Sequence, residues 1–176
     1  MRYVKIPNER VAVLVGKNGK VKKQIEQHGV ILNIDSKIGD VIISSEDSLA
    51  ELDAERVVKA IGRGFSPEHA FRLFNDNQYF ELLDMRNFAG KKAKDVHRIA
   101  GRVIGKNGRT REIIEESLGV NISIYGTTVS IIGDGRSVDA ALKAVEMLLN
   151  GANHASAYRF IQKERRRIKL DELGFR

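Results

Sequence analysis

Apolar positions along this chain change period repeatedly, and the changes mark its elements. Val4 and Ile6 alternate with Tyr3 and Lys5 as far as Pro7, a period of two that predicts a short strand closed by a residue unable to donate to a ladder. Asn8 is placed to cap a helix from Glu9 to Val15. After Gly19, Val21 and Ile25 lie four apart and predict a helix from Lys20 to His28, ended by Gly29. Strands are expected at Val30 to Asp35 and Val41 to Ser45, around a turn at Lys37-Ile38-Gly39-Asp40. Ser48-Leu49-Ala50-Glu51 has the form of a capping box opening a long helix, along which Leu49, Leu52, Val57, Val58 and Ile61 recur. Ser66 before Pro67 starts a connecting helix to Phe74 that runs out in Asn75-Asp76-Asn77.

The same order then recurs. A strand is expected at Tyr79 to Asp84, helices at about Lys92 to Ile104 and at Arg109 to Leu118, strands at Val120 to Tyr125 and Thr128 to Ile132, and a helix from Ser137 to Leu149. Between the first two helices of each half stands the same tetrapeptide, Gly16-Lys17-Asn18-Gly19 and Gly105-Lys106-Asn107-Gly108. Gly29-Val30-Ile31-Leu32-Asn33-Ile34 likewise matches Gly119-Val120-Asn121-Ile122-Ser123-Ile124. Repetition held in register over a helix-sized stretch implies a duplicated module, with residues 1–75 as one α+β domain and its connecting helix, and 76–176 as the second. The second copy has a longer first helix, preceded by Lys91, Lys92 and Lys94. It also carries a tail helix from His154, in which Tyr158, Ile161 and Ile168 form an apolar stripe beside Lys163, Arg165, Arg166, Arg167 and Lys169.

Composition narrows the possibilities. The 176 residues suffice for two domains that bury their own cores. The absence of Cys removes disulfides, thiolate zinc sites and Cys nucleophiles, and fits a reducing cytoplasm. Neither a secretory leader nor a run of 18 apolar residues is seen, so a soluble cytoplasmic protein without a membrane partner is expected. A net charge of +7, from 30 Lys and Arg against 23 Asp and Glu, favours polyanionic partners.

The doubled loop carries the chemistry. Paired glycines let the backbone turn sharply and let a phosphodiester approach the main chain. The helix that follows offers free N–H groups and the positive end of its dipole to an anion. Lys17, Lys20, Lys106 and Arg109 add full charges there, with Lys22 and Arg111 on the next turn. A β-hairpin, which Asn-Gly otherwise signals, fails because Ile114 and Leu118 continue at helical spacing. A mononucleotide P-loop is one residue short in Gly101 to Lys106, and Asn107 replaces the Ser or Thr that binds magnesium. Gly133-Asp134-Gly135 lacks the third glycine of a dinucleotide site, Val138 standing in its place.

Val103-Ile104-Gly105-Lys106-Asn107-Gly108, in strand-helix-loop-helix-strand-strand-helix order, resembles the KH domain, and the resemblance covers nearly the whole chain, once per half. It implies two eukaryotic-type (type I) domains, each a three-stranded antiparallel sheet with three helices, and a GXXG loop clamping about four single-stranded nucleotides. It further implies an apolar base groove formed by Val103, Ile104, Ile114, Ile122 and Ile124 in the second domain, and by Leu14, Val15, Ile25, Leu32 and Ile34 in the first. Three residues past the second glycine the chain departs from the family's usual Ile, carrying Lys22 and Arg111. The longer first helix, the run Gly-Lys-Asn-Gly-Arg-Thr-Arg and the tail helix are similar to the small-subunit ribosome assembly factors called partner of Nob, in an archaeal version. That similarity implies binding of pre-rRNA near the 3′ end of the small-subunit RNA, alongside the endonuclease that matures it.

The expected RNA-binding set is therefore Arg102, Val103, Ile104, Gly105, Lys106, Asn107, Gly108, Arg109, Arg111, Ile122 and Ile124, with Gly16, Lys17, Asn18, Gly19 and Lys20 in the less typical first copy. No catalysis, cofactor or metal is expected. His28, His69, His97 and His154 fall in separate elements, and Glu115-Glu116 and Asp53-Glu55 lack the spacing of facing carboxylates. A monomer is expected. The alternative is a scaffold whose KH-like surfaces recruit a nuclease or a translation factor.

Overall fold

The computed structural model describes residues 1–90 and 92–174; Lys91, part of the basic stretch before the second loop, lies outside the described residues. In the first half β1 (Arg2–Lys5) is followed by α1 (Asn8–Val15), α2 (Lys20–Glu26), β2 (Ile31–Asp35), β3 (Asp40–Ser44), α3 (Ser48–Gly62) and α4 (Pro67–Ala70), which continues as a 3-10 turn, Phe71–Phe74. β3 is the central strand, antiparallel to both neighbours, with Val4 opposite Val41 and Leu32 opposite Ile43. The four are buried, as are Leu14 and Ile25 from α1 and α2 and Val57, Val58 and Ile61 from α3. Each such side chain contributes about 1.5–3 kcal/mol of apolar burial.

In this half two helix starts differ from the sequence expectation. Asn8 does not cap α1; its amide donates to the Lys37 carbonyl at 2.9 Å, tying the helix to the β2–β3 turn. Asp47, rather than Ser48, caps α3 by accepting from the Leu49 N–H at 2.8 Å. Glu51 is thereby released from a capping box. It accepts the Ser45 N–H at 2.9 Å and the N-terminal ammonium at 2.7 Å, and these bonds, the ammonium's first, hold its pKa below the usual glutamate value. Glu51 takes a place on the buried stripe with Ala54, Val57, Val58 and Ile61, and this rotation leaves Leu49 and Leu52 exposed.

In the second half β4 (Gln78–Asp84) leads to a short α5 (Arg86–Ala89), then α6 (Ala93–Ile104), α7 (Arg109–Leu118), β5 (Asn121–Tyr125), β6 (Thr128–Asp134), α8 (Gly135–Leu149) and α9 (His154–Glu172). The sheet order is again outer, central, outer, as β4-β6-β5, with both pairings antiparallel. α5 has no counterpart in the sequence expectation: Asp84 accepts the Arg86 N–H at 2.9 Å and starts the turn. β6 runs on to Asp134, whose carboxylate caps α8 through the Ser137 N–H at 3.1 Å, so that helix begins two residues earlier than expected. Val103, Ile114, Val129, Ile131, Val145 and Leu148 form the core, to which α9 adds Ala157 and Ile161. The chain divides into two compact units between Asp76 and Asn77.

Candidate nucleic-acid interface

The two Gly-Lys-Asn-Gly loops adopt one backbone conformation. Gly16 has φ 73° and ψ 171°, and Gly105 has φ 74° and ψ 175°. The next three residues form a 3-10 turn in which Asn18 and Asn107 reach φ 55° and 54°, a region that asparagine tolerates better than most residues. The first glycine is required twice over. Beyond its positive φ, a Cβ on Gly105 would fall 2.1 Å from Thr110 Oγ1, and one on Gly16 would fall 2.4 Å from Val21 Cγ2. Neither α2 nor α7 has a side-chain cap; the Arg109 N–H is taken up by the Lys106 carbonyl inside the 3-10 turn, and among the described residues no side chain covers the positive end of the dipole of the three-turn α7.

Cations surround both loops, and the structure separates those already paired. Lys17, Lys20 and Lys106 are exposed and take part in no ion pair among the described residues. Arg109 is exposed but bound to Glu112 at 2.6 Å, which raises its pKa above the ordinary guanidinium value. Lys22 and Arg111, at the positions that depart from the family pattern, lie 3.8 and 3.7 Å from Glu26 and Glu115. Those glutamates accept the strand amides of Leu32 and Ile122 at 3.0 and 2.7 Å. The departures are thus part of a strap that joins each loop helix to its strand.

Of the apolar residues expected to line the base groove, Val103, Ile114 and Ile122 are buried core, as are Leu14, Ile25 and Leu32 in the first unit. Ile104 is 37% exposed and Ile124 half-buried; Val15 and Ile34 are their half-buried counterparts. Arg102 does not reach the groove. Its Nε donates to the Leu148 carbonyl at 2.8 Å and its Nη2 to the Ala152 carbonyl, closing the C-terminus of α8. Arg10 does the same in the first unit, at 2.8 Å to Ile61 and 2.6 Å to Phe65.

Three features near the loop are not signalled by the sequence motif. Gly101 lies inside α6, is exposed, and a Cβ added there would meet nothing within 4 Å. A glycine inside a helix weakens it by about 0.5–1 kcal/mol relative to alanine, and no packing within the protein requires this one. It lies one turn before Gly105 on the face of Ile104, where a ligand can approach the bare backbone. At the matching place, four residues before Gly16, the first unit has an exposed Ala12. Thr110, buried beneath Gly105, shares a hydrogen bond of 3.0 Å with the Tyr158 hydroxyl. His154 Nε2 lies 3.0 Å from the Arg102 carbonyl, so α9 is anchored directly behind the loop. Among the described residues no three His, Cys, Asp or Glu are gathered as a metal site would need. No helix among them is long and apolar enough to cross a membrane.

Two GXXG turns, each between helices packed on a three-stranded antiparallel sheet of order 1-3-2, define a pair of KH domains. Family comparison agrees: residues 79–166 match the eukaryotic-type (type I) KH domain and residues 1–66 the KH domain. The KH domain-containing protein MJ0443 of Methanocaldococcus jannaschii is 47% identical over 174 residues, covering 96% of this chain and 76% of that protein. The pre-rRNA-processing protein pno1 of Emericella nidulans is 29% identical over 175 residues, covering 96% and 68%. A chain in the crystal structure of the a/eIF2alpha-aDim2p-rRNA complex from Pyrococcus horikoshii OT3 superposes with a TM-score of 0.86 at 44% identity, covering 94% of each chain. The chain belongs to the tandem KH-domain family of the pno1 and Dim2p pre-rRNA-processing proteins.

Proposed function

We propose that this protein binds single-stranded RNA through its GXXG loops and acts, without catalysis or cofactor, in processing and assembly of the small ribosomal subunit. The observation that carries the reading is loop 105–108: a helix start without a side-chain cap, an unpaired Lys106, and, one turn before the loop, a helix glycine that protein packing does not require. The relatives supply the RNA class, since they process pre-rRNA or stand in a complex with rRNA. Within this reading the target lies near the 3′ end of the small-subunit RNA, the endonuclease that cuts there is a neighbour, and the protein works as a cytoplasmic monomer. Residues 1–75 and 76–176 are its two modules.

The first module supports a second role. Tyr3, Ile31 and Leu49 are 61–70% exposed there, which favours contact with a nuclease or translation factor. Crosslinking the protein to RNA in cells and sequencing the attached fragments tests the proposal. Reads concentrated in small-subunit rRNA near its 3′ end are expected; reads spread over unrelated transcripts, or none, would contradict it.

A further inference from the structure

α9 carries a cationic ridge that its own packing does not use. At 3.6 residues per turn, Ala157, Ile161 and Ile168 face the core, and Arg159, Lys163 and Arg166 point directly away from it, followed by exposed Leu170. Tyr158 and Gln162 flank the ridge on one side and Arg167 and Asp171, the latter paired with Arg136 at 2.8 Å, on the other, leaving a concavity lined by α9 alone. It is an open surface between long side chains and cannot enclose a small molecule. Its charge is largely unneutralised. Lys163 and Arg166 join no ion pair among the described residues, Arg159 reaches only the Ser156 hydroxyl at 3.4 Å, and Arg167 meets Glu164 at 3.8 Å. Like charges three and four residues apart on one helix face repel, so the stripe opposes the helix it stands on.

We infer that this ridge is a second stretch of RNA-backbone contact that continues the path of loop 105–108. Two observations place it there. Tyr158, at the head of the ridge, bonds to Thr110 at the start of α7, and His154 bonds to the carbonyl of Arg102 just before the loop. Arg159 to Arg166 then extends the positive surface by about 10 Å along α9. Arginine and lysine without base-reading partners hold phosphates and carry little sequence information. The ridge therefore lengthens the RNA site without changing base choice. The first unit has no counterpart to α9, so the extension belongs to the second loop alone.

The inference rests on RNA binding at loop 105–108, and the test separates the two. Affinities of the full chain are measured for random-sequence single-stranded RNAs of 6 and 16 nucleotides across a salt series. In R159E/K163E/R166E, affinity for the 6-mer should stay within about twofold, while that for the 16-mer should fall by about tenfold or more. The 16-mer's salt slope should shrink by roughly 0.7 for each phosphate that the variant no longer neutralises. R159Q/K163Q/R166Q, which removes charge without adding acid, should act in the same direction more weakly. Unchanged 16-mer binding in both variants, with melting unchanged, overturns the inference and leaves the ridge to an acidic protein partner. Equal loss for both lengths overturns it as well, since the ridge would then belong to the loop's own short site. If K106D/N107D keeps full 6-mer affinity while the ridge variants lose the 16-mer, the loop reading fails and the ridge, though an RNA contact, is not a continuation of the loop's path, which overturns the inference as stated.

Discussion

Helix stability and ligand access make opposite demands at Gly101. Alanine there adds no clash, because a Cβ meets nothing within 4 Å, and should stabilise α6 by about 0.5–1 kcal/mol. If the RNA backbone follows the proposed path, the same methyl group stands in its way, and affinity should fall by about fivefold or more, roughly 1 kcal/mol. Thermal melting and RNA titration of Gly101→Ala check both halves; a stabilised protein with undiminished affinity would remove Gly101 from the interface. Individual residues are unevenly legible in the sequence. Gly105 and Gly108 are readable because local backbone geometry fixes their roles. Arg102 is not, because its acceptors lie 46 and 50 residues away and only the fold brings them near. Glu51 misleads for the same reason: its partners are Ser45 and the distant N-terminal ammonium, rather than its own helix start.

Among the elements, α9 is the one whose place a repeat cannot forecast, since it has no copy in the first half. It docks by apolar packing of Ala157 and Ile161 and by polar contacts, of which the bond from Tyr158 to the buried Thr110 is one. Tyr158→Phe removes the hydroxyl and leaves Thr110 Oγ1, in a residue only 2% exposed, without its partner. The expected cost is about 1–3 kcal/mol, read as a fall in melting temperature of about 4–8 °C per kcal/mol for a domain of this size. T110V/Y158F, which removes both polar atoms, should recover part of the loss. A Tyr158→Phe protein that melts like the wild type would show that the bond to Thr110 does not help to hold α9. Elements with a clean period, such as α7, are readable to the residue. α5 is not, because four residues carry no periodicity and only the Asp84 turn starts them.

On the scale of the whole molecule, duplication has produced two domains with the same loop backbone and different surroundings. Charge alone favours the first: Lys17, Lys20, Lys22 and Lys23 precede a single acid, Glu26, whereas Glu112, Glu115 and Glu116 offset Lys106, Arg109 and Arg111. Access favours the second, through Gly101 in place of Ala12, the more exposed Ile104 and the adjoining α9. Attraction over distance and close contact are thus weighted differently in the two halves. The duplication and the fold class are plain in the sequence, because register and period repeat. The proposed division of labour is hidden there, because ion pairing and exposure arise only once the helices have packed.

The most direct test replaces Lys106 and Asn107 with Asp, and separately Lys17 and Asn18, and measures RNA affinity beside thermal unfolding. K106D/N107D is expected to lower affinity by about tenfold or more, roughly 1.4 kcal/mol, with nearly unchanged melting, and K17D/N18D to lower it less. Undiminished affinity in K106D/N107D would contradict RNA binding at loop 105–108, and equal losses from the two loops would contradict their ranking.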